Sequence, residues 1–293
     1  MPAPHFSRRT FLMAAAAAAG SLPLRSLAGE SELRFVVLSD THLGRPGDEA
    51  RLERLIPLLA REQPAFILHA GDLVHETVAV GAQVKIAQRL LARMPAKFLL
   101  APGNHDIGIS RKPELVAAWR ALFGPTEATL RYAGWRAVGF NSMALTIACG
   151  DRKQRDAVLD FLERQLDDAA KAGERVVLLH HLPEVIVPYH QQLQAPWADD
   201  AIRRYEAMLT RAPPALRVAG HWHLGVRVPS VAGNLVVCPP VSSLGNAPSG
   251  YLRCVAGAEG AVHVEQVIVE AGTRELPAAV RLFALPMGEP PKE

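Results

Sequence analysis

Cysteine is nearly absent from this sequence: only Cys149, Cys238 and Cys254 occur among 293 residues. Three are too few for a disulfide framework, and none stands in the CxxC spacing of a thiolate metal site. Cys238 and Cys254 fall on what read as successive late strands, a placement open to one bridge in an oxidising compartment or to two buried thiols. No HExxH helix is present, which leaves a zinc peptidase without its usual signature. No apolar run reaches the roughly 20 residues that a bilayer-spanning helix needs. Neither an internal repeat nor a linker interrupts the chain. Excess charge is missing too. The formal net charge is +3, but Arg8, Arg9 and Arg25 lie in an N-terminal segment that reads as removable, and the remainder balances at 29 basic and 29 acidic side chains. Nothing therefore suggests a basic face for nucleic acid. What remains is a globular composition, 49% hydrophobic and 21% charged, with ample material for a core.

The N-terminal segment reads FSRRTFLMAAAAAAGSLPLRSLAGE. Paired arginines, an apolar stretch too short to span a bilayer, and small residues at Ser26 and Ala28 form the layout of a cleavable export signal. SRRTFL resembles the twin-arginine motif, with Met13 where that motif often has lysine, and the resemblance implies passage through the twin-arginine export machinery to the periplasm. The domain reading is accordingly a signal over 1–28, one domain over 29–271 and a Pro-rich tail over 272–293.

Five segments share one layout, a short β-branched apolar run that stops at a polar cluster: LRFVVLSDTH, PAFILHAGD, AKFLLAPGNHD, ERVVLLHH and ALRVAGHWH. Runs of this kind fit strands buried on both faces, some of them parallel. Helical patterns lie between them. The clearest is DRKQRDAVLDFLERQLDDAAKAG, where Val158, Leu162 and Leu166 recur on one face and Gly173 suits the C-cap. DEARLERLIPLLARE carries Pro57, which should kink or interrupt a helix there. After residue 224 short strands separated by Gly, Pro and Asn read as antiparallel meanders. The class is α/β.

The polar clusters are Asp40 and His42; Asp72; Asn104 and His105; His180 and His181; His221 and His223. Each ends an apolar run, and in an open α/β sheet the carboxyl ends of the strands are where ligands bind. Imidazole, carboxylate and amide oxygen suit a pair of transition-metal ions such as Fe, Mn, Zn or Co. One carboxylate can bridge two cations, and Asp72, alone on its strand end, is the candidate. Asn104 would ligate through its amide oxygen, His105 would face a substrate, and Asp106 would orient a neighbour. Alternation does not decide between His180 and His181.

DTH, GDLV, GNHD, HH and GHWH, in that order, resemble the signature motifs of the calcineurin-like metallophosphoesterase superfamily over about residues 35 to 224. The resemblance implies a layered sandwich of two mixed β-sheets flanked by helices. It implies one metal held by Asp40, His42, Asp72 and His223, and a second held by Asp72, Asn104, His180 and His221, the family pattern favouring the first histidine of HH. A bridging hydroxide would attack a phosphoester, with His105 stabilising the phosphoryl oxygens or protonating the leaving group. Asp106, His181 and His75 would border the site. HHLP stands where HHPP is frequent, His75 where Asn or Asp is frequent, and Trp222 inside GHWH. Monoester and diester substrates are both open, with a lean toward the cyclic-nucleotide and glycerophosphodiester branch. The alternative is an exported metal- or phosphate-binding protein without catalysis.

Outlying residues read more plainly. His69 is a core histidine; Glu76 borders the pocket or solvent; Tyr189, His190 and Trp197 lie in a loop after His180. The serines of PPVSSLG lack a base partner, so a serine nucleophile is set aside. The export reading predicts that the full chain, expressed in a bacterial host, is found in the periplasmic fraction while the chain lacking residues 1–28 stays in the cytoplasm. Identical fractionation of the two would refute it.

Overall fold

Side-chain alternation along the first strand already divides the molecule into layers. In β1 (Leu33–Leu38), Phe35 and Val37 join one apolar cluster while Val36 and Leu38 join another. A strand with both faces buried must be covered twice, once by a second sheet and once by helices. The same split recurs in β2 (Phe66–His69), where Phe66 and Leu68 face the first cluster and Ile67 the second. In β6 (Arg175–Leu179), Val177 and Leu179 return to the cluster of Phe35, and Val176 and Leu178 enter a third one. The cluster shared by both sheets is the core of a β-sandwich, and the other two seal its outer faces with helices.

The structure is a computed structural model, and it describes residues 32–110, 112–184, 196–230, 233–242, 248–257, 259–269 and 272–275. The segment read as an export signal, Tyr189, His190 and residues 276–293 lie outside the described residues. The first sheet has the order β12-β11-β10-β1-β2-β3, with β3 at Lys97–Leu100, β10 at Gly250–Ala256, β11 at Val262–Ile268 and β12 at Gly272–Glu275. The second runs β4-β5-β6-β7-β9-β8, with β4 at Ala128–Tyr132, β5 at Trp135–Gly139, β7 at Leu216–Ala219, β8 at Val226–Ser230 and β9 at Gly233–Val237. Pairings β1/β2/β3 and β5/β6/β7/β9 are parallel; β4, β8 and β10–β12 join antiparallel. Both sheets are therefore mixed, as the resemblance implies.

Helices α1 (Asp48–Arg61), α2 (Gly81–Leu91) and α4 (Pro113–Phe123) cover the first sheet through Leu52, Leu59, Leu90 and Trp119, and the single turn α3 (Asn104–Ile107) follows β3. Helices α5 (Arg152–Ala172) and α6 (Asp199–Arg211) cover the second through Leu162, Leu166, Tyr205 and Met208. Helix α5 closes at Gly173 (φ 64°) as its sequence predicts, and the structure adds an N-cap, the Asp151 carboxylate accepting from the Gln154 amide at 3.1 Å.

Three expectations need correction. Helix α1 runs through Pro57 without interruption. The proline ring lies on the exposed face, so the carbonyl one turn back, left without its donor, can turn to water. Residues 272–275 do not begin the tail but form the edge strand β12 against β11. Trp197 lies in the connection before α6 as expected, but it is neither solvated nor at the pocket: its buried ring stands 5.2 Å from Tyr205 and 5.7 Å from His180. All three cysteines are free and buried, so Cys238 and Cys254 are not bridged.

Candidate metal centre

The strands β1, β2 and β3 of one sheet and β6 and β7 of the other all deliver their C-terminal ends to the same edge of the sandwich, and the polar clusters sit there. The chain leaves the strands in strained turns. Asp40, His42, Asp72, His221 and His223 have φ of 52°, 43°, 55°, 71° and 54°, in the left-handed region that L-residues avoid. Among the described residues only Gln63 and Ala133 share that conformation without being glycine. Such strain costs roughly 1–3 kcal/mol per residue and persists only where the surroundings enforce it. Here the β1 and β2 exits are laced together: the amides of Asp40, His42 and Leu43 donate to the carbonyls of Gly71, Asp72 and Leu73 at 2.9, 3.0 and 3.0 Å.

Two motif glycines follow from the same crowding. A Cβ on Gly103 would overlap the carboxylate and backbone nitrogen of Asp72, and one on Gly220 would overlap the Ser39 hydroxyl and press on the Asp40 carboxylate. GNHD and GHWH need their glycines because another motif's carboxylate lies against them.

Two groups of donor atoms result. In the first, His42 Nε2 and His223 Nε2 lie 3.2 Å apart, Asp40 Oδ1 is 3.2 Å from His223 Nε2 and 3.9 Å from His42 Nε2, and Asp72 Oδ2 is 3.7 Å from His42 Nε2. In the second, His181 Nε2 lies 3.2 Å from Asp72 Oδ2 and 2.9 Å from Asn104 Oδ1, and the His221 ring centroid is 5.1 Å from that of His181. Donors bonded to one cation at about 2.0–2.2 Å stand roughly 3–4 Å from one another, and the donor separations here run from 2.9 to 3.9 Å. Asp72 belongs to both groups. The donor set of imidazole, carboxylate and amide oxygen thus fits two adjacent transition-metal ions, and contains no soft ligand.

Electrostatics support the same reading. Burial works to keep Asp40 and Asp72 neutral, but the imidazoles outweigh it: His223 and His181 hold Asp40 at about 2, and His181, His42 and His105 hold Asp72 well below the usual carboxylate range. Burial would depress His181 as well, yet Asp72 and Asp40 raise it to about 9, and Asp40 raises His223 in the same way. Burial prevails at His42, which falls to about 4. Two ionised carboxylates side by side in a buried pocket demand positive charge, supplied either by protons on His181 and His223 or by cations in their place.

Hydrogen bonds to the non-ligating atoms fix the geometry. His181 Nδ1–H donates to the Ala70 carbonyl at 2.8 Å, which frees Nε2. The Ser142 hydroxyl accepts from the amides of His181 and Leu182 at 3.2 and 2.8 Å, and the Ser39 hydroxyl donates to the Asp40 carboxylate. Asp106 accepts from the amides of Gly103, Leu73 and Val74 at 2.7, 3.2 and 3.0 Å and so ties the GNHD turn to the GDLV turn. Burial and the Asp72 charge push Asp106 up to about 7 against those three donors. His105 N–H donates to Asp72 Oδ1 at 2.8 Å, and His105 Nδ1–H to the His75 carbonyl. His105, Asn104, His221 and His223 are half-buried and form the mouth.

The structure brings together Asp40, His42, Asp72, Asn104, His105, His221 and His223, with His75 beside them and Asp106 behind. It does not bring His180. His180 continues the face of Val176 and Leu178 into the α5/α6 layer, where its ring stacks on Phe140 at 4.9 Å and its Nδ1–H donates to the Leu182 carbonyl at 2.9 Å. Burial lowers its pKa to about 3. The second histidine of HH, His181, stands in the cluster instead, so the expectation of His180 as ligand is corrected to His181. His69 is core, 3.2 Å from the Thr41 hydroxyl, and Glu76 is exposed. Sequence reasoning missed Ser39 and Ser142; isolated serines carry no pattern that would mark them.

A model of the family described as calcineurin-like phosphoesterase matches residues 33–225. The 3′,5′-cyclic adenosine monophosphate phosphodiesterase CpdA of Escherichia coli is 28% identical over 174 residues, 56% of this chain and 60% of that protein. The chain thus spans about three-fifths of the length of the curated relative it matches. A dimetal phosphatase from Danio rerio shares the fold with a TM-score of 0.62 at 14% identity, over 84% of this chain and 97% of that one. So does GAP50, the anchor in the inner membrane complex of Plasmodium, with a TM-score of 0.63 at 13% identity over 84% and 88%.

Two expected outcomes distinguish this arrangement from one built on His180. His181→Ala should lose about one equivalent of bound metal per chain by elemental analysis. His180→Ala should keep the metal and instead lower the urea midpoint, since it removes a stacked core ring. A metal loss confined to His180→Ala would reverse the assignment. The raised His181 also sets a pH dependence. A cation at Nε2 needs the neutral ring, so below pH 9 a proton must leave as the cation binds, and apparent affinity should weaken by up to about tenfold per pH unit on going from 8 to 6. Calorimetric titration with manganese in buffers of different ionisation enthalpy should count the protons released; zero release at pH 7 would contradict the His181–Asp72 pairing.

Proposed function

We propose that this chain, which belongs to the calcineurin-like phosphoesterase family, is a metal-dependent hydrolase of phosphoester bonds. One observation carries the reading: the Asp72 carboxylate is shared by two donor groups, so that two cations would sit side by side at the common edge of the sheets. Asp40, His42, Asp72 and His223 would hold one, and Asp72, Asn104, His181 and His221 the other. Such a pair supplies a water made acidic enough to attack near neutral pH and charge to offset that developing on the phosphoryl group. The ligand types accept Fe, Mn, Zn or Co.

The chain's own residues do the positioning. The Ala70 carbonyl and the Ser142 hydroxyl fix His181; the Gly71–Leu73 carbonyls fix the Asp40–Leu43 turn. His105 has its Nδ1–H committed to the His75 carbonyl and its backbone held by Asp72, so Nε2 is the atom left for a substrate oxygen. The likeness to a cyclic-nucleotide phosphodiesterase, together with the HH and GHWH motifs, supports phosphodiesters as the first substrate class to test. Residues 1–28 would direct the protein to the periplasm, as SRRTFL and the small residues before Gly29 support.

The test is hydrolysis by manganese-loaded protein of bis(p-nitrophenyl) phosphate and p-nitrophenyl phosphate, with Asp72→Ala and Asn104→Ala as blanks. The diester should turn over well above blank, and both variants should be inactive yet folded. His105→Ala should lower kcat by about 10²–10⁴-fold with its metal content intact. Full activity in Asp72→Ala or Asn104→Ala would sink the assignment. Two bound metals with no turnover of either ester would instead establish a non-catalytic metal- or phosphate-binding protein.

A further inference from the structure

The positioning just described leaves one half-buried imidazole at the mouth without a task. His75 follows the GDLV motif, and its backbone is fixed from three directions. Its N–H donates to the Leu43 carbonyl at 3.0 Å and to Oε1 of the buried Gln83 at 3.1 Å, and its carbonyl accepts from His105 Nδ1. The side chain is free of those duties. Its ring stacks on that of His105, with centroids 5.5 Å apart and planes at 17°, and its Nδ1 lies 3.5 Å from Nδ1 of His42.

That last contact sets the proton positions. His42 turns Nε2 toward Asp40, Asp72 and His223. A nitrogen that ligates must offer a lone pair, so the proton of the neutral ring sits on Nδ1. It points to Nδ1 of His75, which accepts, and the proton of His75 is therefore on Nε2. Among the described residues Nε2 of His75 meets no protein partner. Nitrogens of His42, His75 and His105 do approach within 4.8 Å of one another, close enough for a third cation. But a cation there would have to claim Nδ1 of His42 while Nε2 faces the first site, which would require the ring to lose both protons. A hydrogen-bond donor is the cheaper state.

We infer that His75 is a second substrate-touching imidazole, whose Nε2–H donates, beside His105, to an oxygen of the bound phosphoester. The inference rests on the phosphoesterase reading and adds to it a residue that holds substrate. No bond is made or broken at His75, and the ring stays neutral.

The experiment compares wild-type full-length protein with His75→Ala and His75→Gln, all loaded with zinc. In His75→Ala, kcat/KM on bis(p-nitrophenyl) phosphate should fall about 10- to 100-fold, the worth of one hydrogen bond to a charged group. His75→Gln, which restores a donor, should recover most of the loss. Both variants should keep the wild-type metal content, and nitrogen-15 spectra of the wild type should place the His75 proton on Nε2. A loss in His75→Ala of twofold or less overturns the inference, as does a proton on Nδ1, a glutamine variant no better than alanine, or the loss of a metal equivalent in His75→Ala. If the wild type hydrolyses neither ester, the phosphoesterase reading has failed by itself. Calorimetry with inorganic phosphate then decides for His75: binding tenfold weaker in His75→Ala sustains the donor role, and equal binding removes it.

Discussion

The buried carboxylate of Asp72 is the constraint on which the rest of the site depends. Its Oδ2 faces His42 and His181, from different sheets, and its Oδ1 accepts the His105 amide. Its backbone carbonyl receives His42, and its bulk leaves room at residue 103 for glycine alone. A carboxylate so enclosed stays ionised only because imidazoles surround it, and those imidazoles are held in place by what they surround. The cluster is a mutual arrangement: take away the carboxylate and His181, His42 and the His105 turn lose their common partner at once. Such coupling makes the effects of neighbouring substitutions non-additive.

Strain in the exits from the strands has the same origin. Five of the clustered residues are left-handed, each at a cost that a flexible loop would not sustain. The cost is offset by backbone bonds between exits that come from different strands. The amides of Val241 and Ser242, just after β9, donate to the carbonyls of Ser39 and Asp40 at 3.0 Å each, so a strand that contributes no ligand clamps one that does. Pre-organisation of this kind means that an incoming cation or substrate finds the donors already placed.

Much of this was legible in the sequence, because apolar runs ending at polar clusters report both the strands and the rim they share. Alternation pairs Asp40 with His42 and His221 with His223 and leaves HH open, while the two-sheet layering was carried by the resemblance. In HH the two rings necessarily face opposite ways, and which way is inward depends on which face of β6 carries the helices. Val176 and Leu178 pack under α5 and α6, so His180 follows them into the core and His181 falls with Val177 and Leu179 on the side between the sheets. That fact belongs to the tertiary structure. The β4–β5 hairpin was equally hidden, since its turn is Ala133-Gly134 at φ 45° and 80° rather than the Asn-Gly that announces such a turn. Helix α4, between β3 and β4, carries only Leu115 and Trp119 as buried anchors, a stripe too thin to stand out.

The same parity explains why bulky or redundant residues interrupt the motifs. Trp222, between His221 and His223, packs with Val226, Val228, Leu235 and Val237 in a small apolar cluster of its own. His180, before His181, packs with Phe140 and Trp197. In each case a ring that points into the body of the protein anchors the backbone from which a neighbouring ring points into the site. A ligand on a short strand exit has few contacts of its own, because its far end must be left for the metal. The stability of its position has to come from the residue beside it, and a large buried ring supplies more contact area there than any other side chain could.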